Sequence, residues 1–126
     1  MTTPQTPNQQ RLITAWVEER HAAAQAIRRN DRSQAWIHLE RAHILSQSMA
    51  GRHVRTHLAM LRFALRSFRP HEVAGQLFRT LVAAPGSWSG RYPLGNTGGA
   101  DVSAFAPMPI PHDLRPMLAP TSPARS

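Results

Sequence analysis

Residues 38–61 read HLERAHILSQSMAGRHVRTHLAML, and they decide how this chain folds. Apolar and small residues recur at helical spacing on both sides of Ala50-Gly51, and glycine is the residue that most easily ends a helix. The stretch therefore predicts two antiparallel helices that turn near Ala50. It also contains four of the seven histidines of the chain, so the hairpin that organises the fold is also where metal or acid–base chemistry would lie.

The same helical spacing extends outward from this hairpin in both directions. It predicts four helices, at about 9–29, 32–49, 52–68 and 70–84. Their predicted inner faces consist of Leu12, Trp16, Ala23 and Ile27; Ala35, Leu39, Ala42 and Leu45 or Met49; Val54, Leu58, Leu61, Leu65 and Phe68; and Val73, Leu77, Phe78 and Leu81. Short connections make neighbouring helices antiparallel. The predicted fold is all-α, a compact bundle of about four antiparallel helices in two hairpins, of which the first is tetratricopeptide-like.

Composition changes at Pro85, since eight of the eleven prolines follow residue 84. The segment nevertheless keeps apolar anchors as far as Leu118. We predict a disordered N-terminus at 1–8, a helical domain at 9–84, an ordered irregular Pro/Gly-rich arm packed on the helices at 85–118, and a disordered tail at 119–126.

All fifteen basic residues are arginine, and the formal net charge is +8. The absence of lysine excludes Schiff-base chemistry and a P-loop, and the absence of cysteine excludes disulfides and thiolate metal sites. The charge is compatible with an acidic protein partner. Nucleic acid is disfavoured, because the arginines are scattered and no nucleic-acid-binding motif accompanies them.

No signal peptide or membrane span is predicted, so we expect a cytoplasmic protein.

Two polar stripes follow the central hairpin. On each helix three side chains share one face, at spacings of i, i+4, i+7 or i, i+3, i+7. Pairing residues that are equally far from Ala50 matches the stripes in height. The predicted pairs are His43 with His57, Gln47 with His53, and Glu40 with Met60.

These pairs have two interpretations, and the sequence does not choose between them. His43, His53 and His57 with Glu40 make a ligand set for one transition metal: zinc, copper, nickel or iron. Gln47 and Met60 are further candidates, and His38 lies on a different stripe where a helix-packing contact is favoured. In the other interpretation, the histidines are structural and form hydrogen bonds to glutamate, glutamine or a carbonyl group.

The glycine-rich sequence GNTGGA at 95–100 is the second segment that can carry chemistry. Its amides, including those of Asn96, Gly98 and Gly99, can bind an anion with help from Arg91. No helix opens directly after it, so the usual phosphate-loop context is missing. A tight turn that packs the arm onto the helices is the favoured interpretation, and in that position the segment can cover a site.

The motifs HLERAHILSQ, HVRTHLAML, GQLFR, GNTGGADVS and PMPIPHDL occur in this order between Glu18 and Leu118. In this combination the chain resembles a bacterial family of domains of unknown function, number 3703. The resemblance implies a small, mostly helical bacterial protein with the same arm, and it assigns no activity. The recurring positions of the family correspond here to His38, Leu39, Glu40, Arg41, Ala42, His43, Gln47, His53, His57, Gly75, Gln76, Asn96, Gly98 and Gly99. Ser46 departs from the family's usual glycine.

Three functions are compatible with these observations. The leading hypothesis is a non-enzymatic metal-binding protein that uses the histidine-rich hairpin, with no catalytic residue. The second is a helical adaptor with structural histidines that binds an acidic partner. The third is a metal-dependent enzyme, which needs an open coordination position and a general base, and Glu40 is the nearest candidate base.

Overall fold

A computed structural model describes residues 4–67, 70–90, 93–99 and 107–118. These residues form five helices and no strand, which confirms the predicted all-α class. The helices are α1 (Pro7–Arg28), α2 (Arg32–Ser46), α3 (Ala50–Arg66), α4 (Pro70–Ser89) and the single turn α5 (Arg115–Leu118). Within the described residues, no helix is both long enough and apolar enough to cross a membrane.

Local capping sets where the first two helices begin. Thr6 and Gln9 form a reciprocal capping box, so α1 begins at Pro7, inside the segment predicted to be disordered. Asn30 adopts a φ of 57° at the first turn. Asp31 then caps α2 by accepting a hydrogen bond from the backbone amide of Gln34 at 3.1 Å.

The turn between α2 and α3 lies earlier than predicted. α2 ends at Ser46, whose carbonyl accepts a hydrogen bond from the amide of Met49 at 2.8 Å. Gly51 lies within the first turn of α3 and does not end α2. Because this tight turn closes α2 before Ala50 is reached, the centre of the hairpin moves toward Ser48.

The helices pack as two antiparallel hairpins, α1 with α2 and α3 with α4, and α2 and α3 join them. One hydrophobic cluster consists of Leu12, Trp16, Ala42, Ile44, Leu45 and Leu114, and a second of Ala23, Ala26, Ala35, Leu39, Met60 and Phe63. The large apolar side chains contribute roughly 1.5–3 kcal/mol each when fully buried. The indole nitrogen of Trp16 donates to Thr56 at 2.9 Å and ties the first hairpin to the second.

The predicted inner faces of α3 and α4 were wrong at four positions, and the predictions for Phe68 and for the side chain of Leu81 lie outside what the structure describes. Leu58 and Leu65 on α3 and Leu77 and Phe78 on α4 are 45–56% exposed. Polar side chains are buried in their place: His53, Thr56 and His57 on α3, and Glu72, Gln76 and Arg79 on α4. Burying polar groups is unfavourable unless they form hydrogen bonds. The two helices and the arm supply such partners to one another, so the space between the hairpins is a polar site.

The arm is anchored over this site by hydrogen bonds from Gln47. Its side-chain nitrogen donates to the carbonyl of Pro93 at 2.8 Å, and its side-chain oxygen accepts from the amide of Gly95 at 3.0 Å. Leu114 is buried in the first hydrophobic cluster, and Arg41 forms an ion pair with Asp113. α4 contains Pro85 and continues to Ser89, past the predicted start of the arm. The predicted tail at 119–126 lies outside the described residues.

Candidate metal centre

Three buried histidine side chains converge on one point between α2 and α3. The Nε2 atom of His43 lies 3.0 Å from that of His57 and 2.9 Å from that of His53, and the third side of the triangle is 3.2 Å. The three residues are at most 6% exposed. This is the group of side chains in the described residues that could hold a metal ion.

The position of the turn explains why one histidine of α2 meets two histidines of α3. His53 and His57 lie one helical turn apart on the same face of α3. His43 is level with His57 for a turn centred at Ala50, and level with His53 for a turn centred at Ser48. The observed turn at 47–49 is centred at Ser48 and so places His43 level with His53, and His57, one helical turn further along the same face, still lies within 3.0 Å of His43. The predicted pair of His43 and His57 is therefore observed, and His53 pairs with His43 rather than with Gln47.

The outer ring nitrogens fix the protonation of two of these histidines. Nδ1 of His43 lies 2.7 Å from the carbonyl oxygen of Asn96, and Nδ1 of His57 lies 2.7 Å from Oε1 of Gln76. Both partners accept hydrogen bonds, so both Nδ1 atoms carry a hydrogen and donate. The amide of Gln76 is oriented by its other end, because Nε2 donates to the carbonyl of Gly98 at 2.6 Å and to Glu72 at 3.3 Å.

It follows that the contact between His43 and His57 is not a hydrogen bond in the neutral protein. A neutral imidazole that carries its hydrogen on Nδ1 presents only a lone pair at Nε2. The two Nε2 atoms are 3.0 Å apart, so two lone pairs face each other. A hydrogen on Nε2 of His53 can form a hydrogen bond to Nε2 of His43 or of His57. It cannot lie between the Nε2 atoms of His43 and His57. A cation between the rings removes the repulsion.

Burial keeps the imidazoles of His43 and His57 neutral, which is the form that binds metals. The pKa of His43 is held well below its ordinary value, first by burial and then by the neighbouring His57 and His53. Burial also lowers the pKa of His57 to about 3, against the opposing effect of the hydrogen bond that His57 donates to Gln76. The nearby Arg79 guanidinium lowers both pKa values further.

The triangle of nitrogens fits a transition-metal ion. For metal–nitrogen bonds of about 2.05 Å, neighbouring ligand nitrogens are about 3.3 Å apart in a tetrahedral site and about 2.9 Å apart at right angles. The observed separations of 2.9–3.2 Å lie within this interval. In either geometry the ion lies to one side of the plane of the three nitrogens, so at least one further coordination position remains on that side.

The remaining predicted ligands lie outside this triangle. Glu40 is not in the group, and its Oε1 lies 3.7 Å from the position that a Cβ would take on Gly99. Met60 packs in the second hydrophobic cluster, and Gln47 bonds to the arm. His38 bonds to Glu19 at 2.7 Å, away from the triangle.

The glycine segment lies directly against the site. Gly98 has a φ of 81°, and a Cβ added there would lie 2.6 Å from Cδ2 of His43. The amide of Gly98 donates to the side chain of Asn96 at 2.9 Å, so its hydrogen is already used within the chain. Together with Gly95 bonded to Gln47, this favours a covering turn over an anion site. Arg91 lies outside the described residues.

Sequence reasoning missed the contribution of α4 to the site. Glu72, Gln76 and Arg79 are all buried and line one face of this helix. Their spacing of i, i+4, i+7 repeats that of the histidine stripe on α3. A search for polar side chains at helical spacing, applied equally to α4, would have found them, but the apolar residues on the other face dominated the pattern.

Comparison with known proteins places the chain in a family without assigning an activity. No curated protein and no solved structure matches the chain. The family described as Protein of unknown function (DUF3703) matches over residues 10–118. That range includes both hairpins, the three histidines and the described part of the arm. The chain belongs to this family.

Proposed function

We propose that this protein binds one transition-metal ion through Nε2 of His43, His53 and His57, and that it is not an enzyme. The observation that carries the proposal is the contact between His43 and His57, whose lone pairs face each other at 3.0 Å. Structural histidines that only hold helices together would instead alternate donor and acceptor across such a contact.

The surroundings of the triangle support a resident ion. Metal-bound histidines usually donate their other ring nitrogen to a carbonyl or carboxylate group, which orients the ring. His43 does so to Asn96 and His57 does so to Gln76, both at 2.7 Å. These contacts orient the rings of His43 and His57, so that their Nε2 atoms face each other and lie 2.9 and 3.2 Å from Nε2 of His53.

The ligand atoms also bear on the identity of the metal. Three imidazole nitrogens are borderline ligands that suit zinc, nickel, copper and ferrous iron. Met60 packs among apolar side chains in the second cluster, which removes the thioether argument for copper(I). Zinc is therefore our first choice, with Glu40 as a second-shell candidate through its position beside Gly99.

Burial favours holding a metal over catalysis at it. The three histidines are at most 6% exposed, and Gly98 lies against the ring of His43. A metal-dependent enzyme needs a coordination position that substrate can reach. The arm covers the site on the side of His43, so we propose storage, sensing or structural use of the ion.

Metal uptake by protein purified without a histidine tag tests the proposal. We expect the metal-free protein to take up about one zinc ion per chain, and His57→Ala to lower the affinity by at least about 100-fold. His21→Ala is the matched control, because His21 is exposed on α1 and contacts Gln25. No uptake, or uptake unchanged in both His43→Ala and His57→Ala, would overturn the proposal.

A further inference from the structure

A continuous groove runs between α1 and α3. Three cavities of about 380, 250 and 170 Å³ follow one another along it. The first and second share Arg20, Ala59 and Arg62. The second and third share Ile27, Phe63 and Arg66. Because each cavity shares its walls with the next, the three are parts of one surface feature.

The groove exists because α1 and α3 both pack on α2 and not closely on each other. Its floor is apolar and includes Ala23, Leu39 and Phe63. Two further apolar side chains stand at its upper end, where Val17 is 51% exposed and Leu58 is 45% exposed. Apolar side chains that line a groove at this exposure favour contact with an apolar face of another molecule.

The walls of the groove carry a strong positive charge. Six arginines line the three cavities, and no carboxylate does: Arg20, Arg28, Arg32, Arg55, Arg62 and Arg66. The ion pairs formed among the described residues involve Arg41 and His38 and none of these six. Burial lowers the pKa of Arg20, and the charges of Arg62 and Arg55 lower it further. The arginines therefore repel one another across an apolar floor.

We propose that this groove binds an acidic amphipathic helix of a partner protein. Helices joined in successive antiparallel pairs make α1 and α3 parallel, so the groove is straight. From Arg55 to Arg66 it spans about 17 Å, the length of about three helical turns. A helix with an apolar stripe would cover Val17, Leu58 and the floor, while its glutamates and aspartates would meet the arginines on both walls.

The chain itself does not supply such a helix. It has seven acidic residues against fifteen arginines. Glu19 is paired with His38 and Arg41, Asp113 with Arg41, and Asp31 caps α2. Glu72 is buried beside the metal centre. A second copy would bring a further set of arginines, so we assign the groove to a different protein.

Nucleic acid is also a polyanion that would match the positive charge of the groove, but it would not match the apolar floor. Phosphates would satisfy the arginines and leave Val17 and Leu58 exposed to water. The apolar floor therefore favours the amphipathic helix, and the two occupants differ in a binding experiment. Binding to nucleic acid is dominated by phosphate contacts and falls steeply with salt, whereas burial of an apolar stripe persists in salt.

The test uses the full-length protein and a synthetic amphipathic helix of about 16 residues, with leucine along one face and glutamate along both edges. We expect binding that is weakened by about tenfold or more in Arg62→Glu, since a charge reversal at the wall repels the partner. The thermal midpoint of Arg62→Glu should stay equal or rise, because the variant removes repulsion of Arg20. Arg11→Glu, on α1 outside the groove, is the matched control and should bind normally.

Two comparisons make the outcome decisive. The same peptide with glutamine in place of glutamate should bind much more weakly, and duplex DNA of equal charge should bind more weakly than the acidic peptide. The proposal is overturned if the acidic peptide does not bind, if Arg62→Glu binds it as well as the unchanged protein, or if DNA binds more tightly at physiological salt. Because the groove shares none of the three histidines, metal uptake is unaffected by these variants whether or not the metal proposal holds.

Discussion

At the scale of single residues, the proposed metal site depends on which ring nitrogens of His43 and His57 carry a hydrogen. Nδ1 of His43 donates to the backbone oxygen of Asn96, and Nδ1 of His57 donates to the side-chain oxygen of Gln76. The Nε2 atoms of His43 and His57 therefore face each other with lone pairs. The pairing of these two histidines follows from helix geometry, so the sequence predicted it. Their outer partners lie 53 and 19 residues away along the chain, and no local pattern reveals such partners.

The depressed pKa of His57 makes the stability of the metal-free protein depend on pH. Its pKa is about 3 in the folded protein against 6.5 ordinarily. Between these values the unfolded chain binds a proton that the folded chain does not, so stability is complete above the ordinary pKa and is lost as pH falls. The expected loss is up to about 1.4 kcal/mol per pH unit for this histidine, and His43 shifts in the same direction.

Urea unfolding in the presence of a chelator measures this loss between about pH 6.5 and about pH 4.5. His57→Gln should reduce the slope, because it removes the buried imidazole whose pKa is lowered. A stability that does not fall over this range would show that the buried histidines are not held neutral in the folded protein.

The Gly98→Ala substitution tests how closely the arm approaches the three histidines. A Cβ at this position would lie 2.6 Å from the His43 ring, on a backbone with a φ of 81°. Gly98→Ala should therefore cost roughly 3 kcal/mol and weaken metal binding, through backbone strain of about 1 kcal/mol plus overpacking. Gly90→Ala is a matched control, because Gly90 has a similar φ of 69° with nothing within 4 Å.

Thermal unfolding and zinc titration of the two glycine variants separate strain from contact. Gly90→Ala should lose about 1 kcal/mol of stability and retain full metal affinity. Equal losses in the two variants would mean that the arm does not press on His43.

At the scale of elements, polar side chains of α4 and of the first half of α3 face inward, whereas the second half of α3 buries Met60, Phe63 and Ala64. The hydrophobic periodicity located the helices correctly and chose the wrong faces for these two, since Leu58, Leu65, Leu77 and Phe78 are exposed. Periodicity ranks faces by apolar content. It carries no information on whether polar side chains will find partners after folding. For α1 and α2, apolar content was sufficient, and most residues of the predicted inner faces are buried: Leu12, Trp16, Ala23, Ala35, Leu39, Ala42 and Leu45.

Gln76 is the clearest test of the inward polar face of α4. It accepts from His57 at 2.7 Å and donates to Gly98 at 2.6 Å, so it joins α3, α4 and the arm. Gln76→Met keeps the volume and removes both bonds. We expect a loss of about 2–4 kcal/mol, because two buried polar groups lose their partner.

The same substitution should lower zinc affinity by about 10–100-fold, since His57 would no longer be oriented. Gln25→Met on the exposed face of α1 is the matched control and should change neither quantity by much. If Gln76→Met loses stability with unchanged zinc affinity, then Gln76 holds the hairpins together without orienting a ligand.

At the scale of the whole molecule, two hairpins and an arm enclose one polar site. The first hairpin has an apolar seam, and the contacts between hairpins include Trp16 with Thr56 and His43 with His53 and His57. An ion held between α2 and α3 would bind only the folded state and so stabilise it, by about 2.7 kcal/mol at a hundred times the dissociation constant. The outer groove between α1 and α3 shares none of the three histidines, so the proposed metal and the proposed partner would occupy different surfaces.

X-ray absorption at the zinc edge, on protein loaded with one equivalent of zinc, tests directly whether His43, His53 and His57 bind the ion. We expect three imidazole ligands with zinc–nitrogen distances of about 2.0–2.1 Å, and a fourth ligand that is an oxygen or nitrogen donor. We also expect that His57→Ala loses one imidazole from the spectrum. A spectrum of fully hydrated zinc, or one with sulfur from methionine, or one unchanged by His57→Ala, would contradict a metal centre built by His43, His53 and His57.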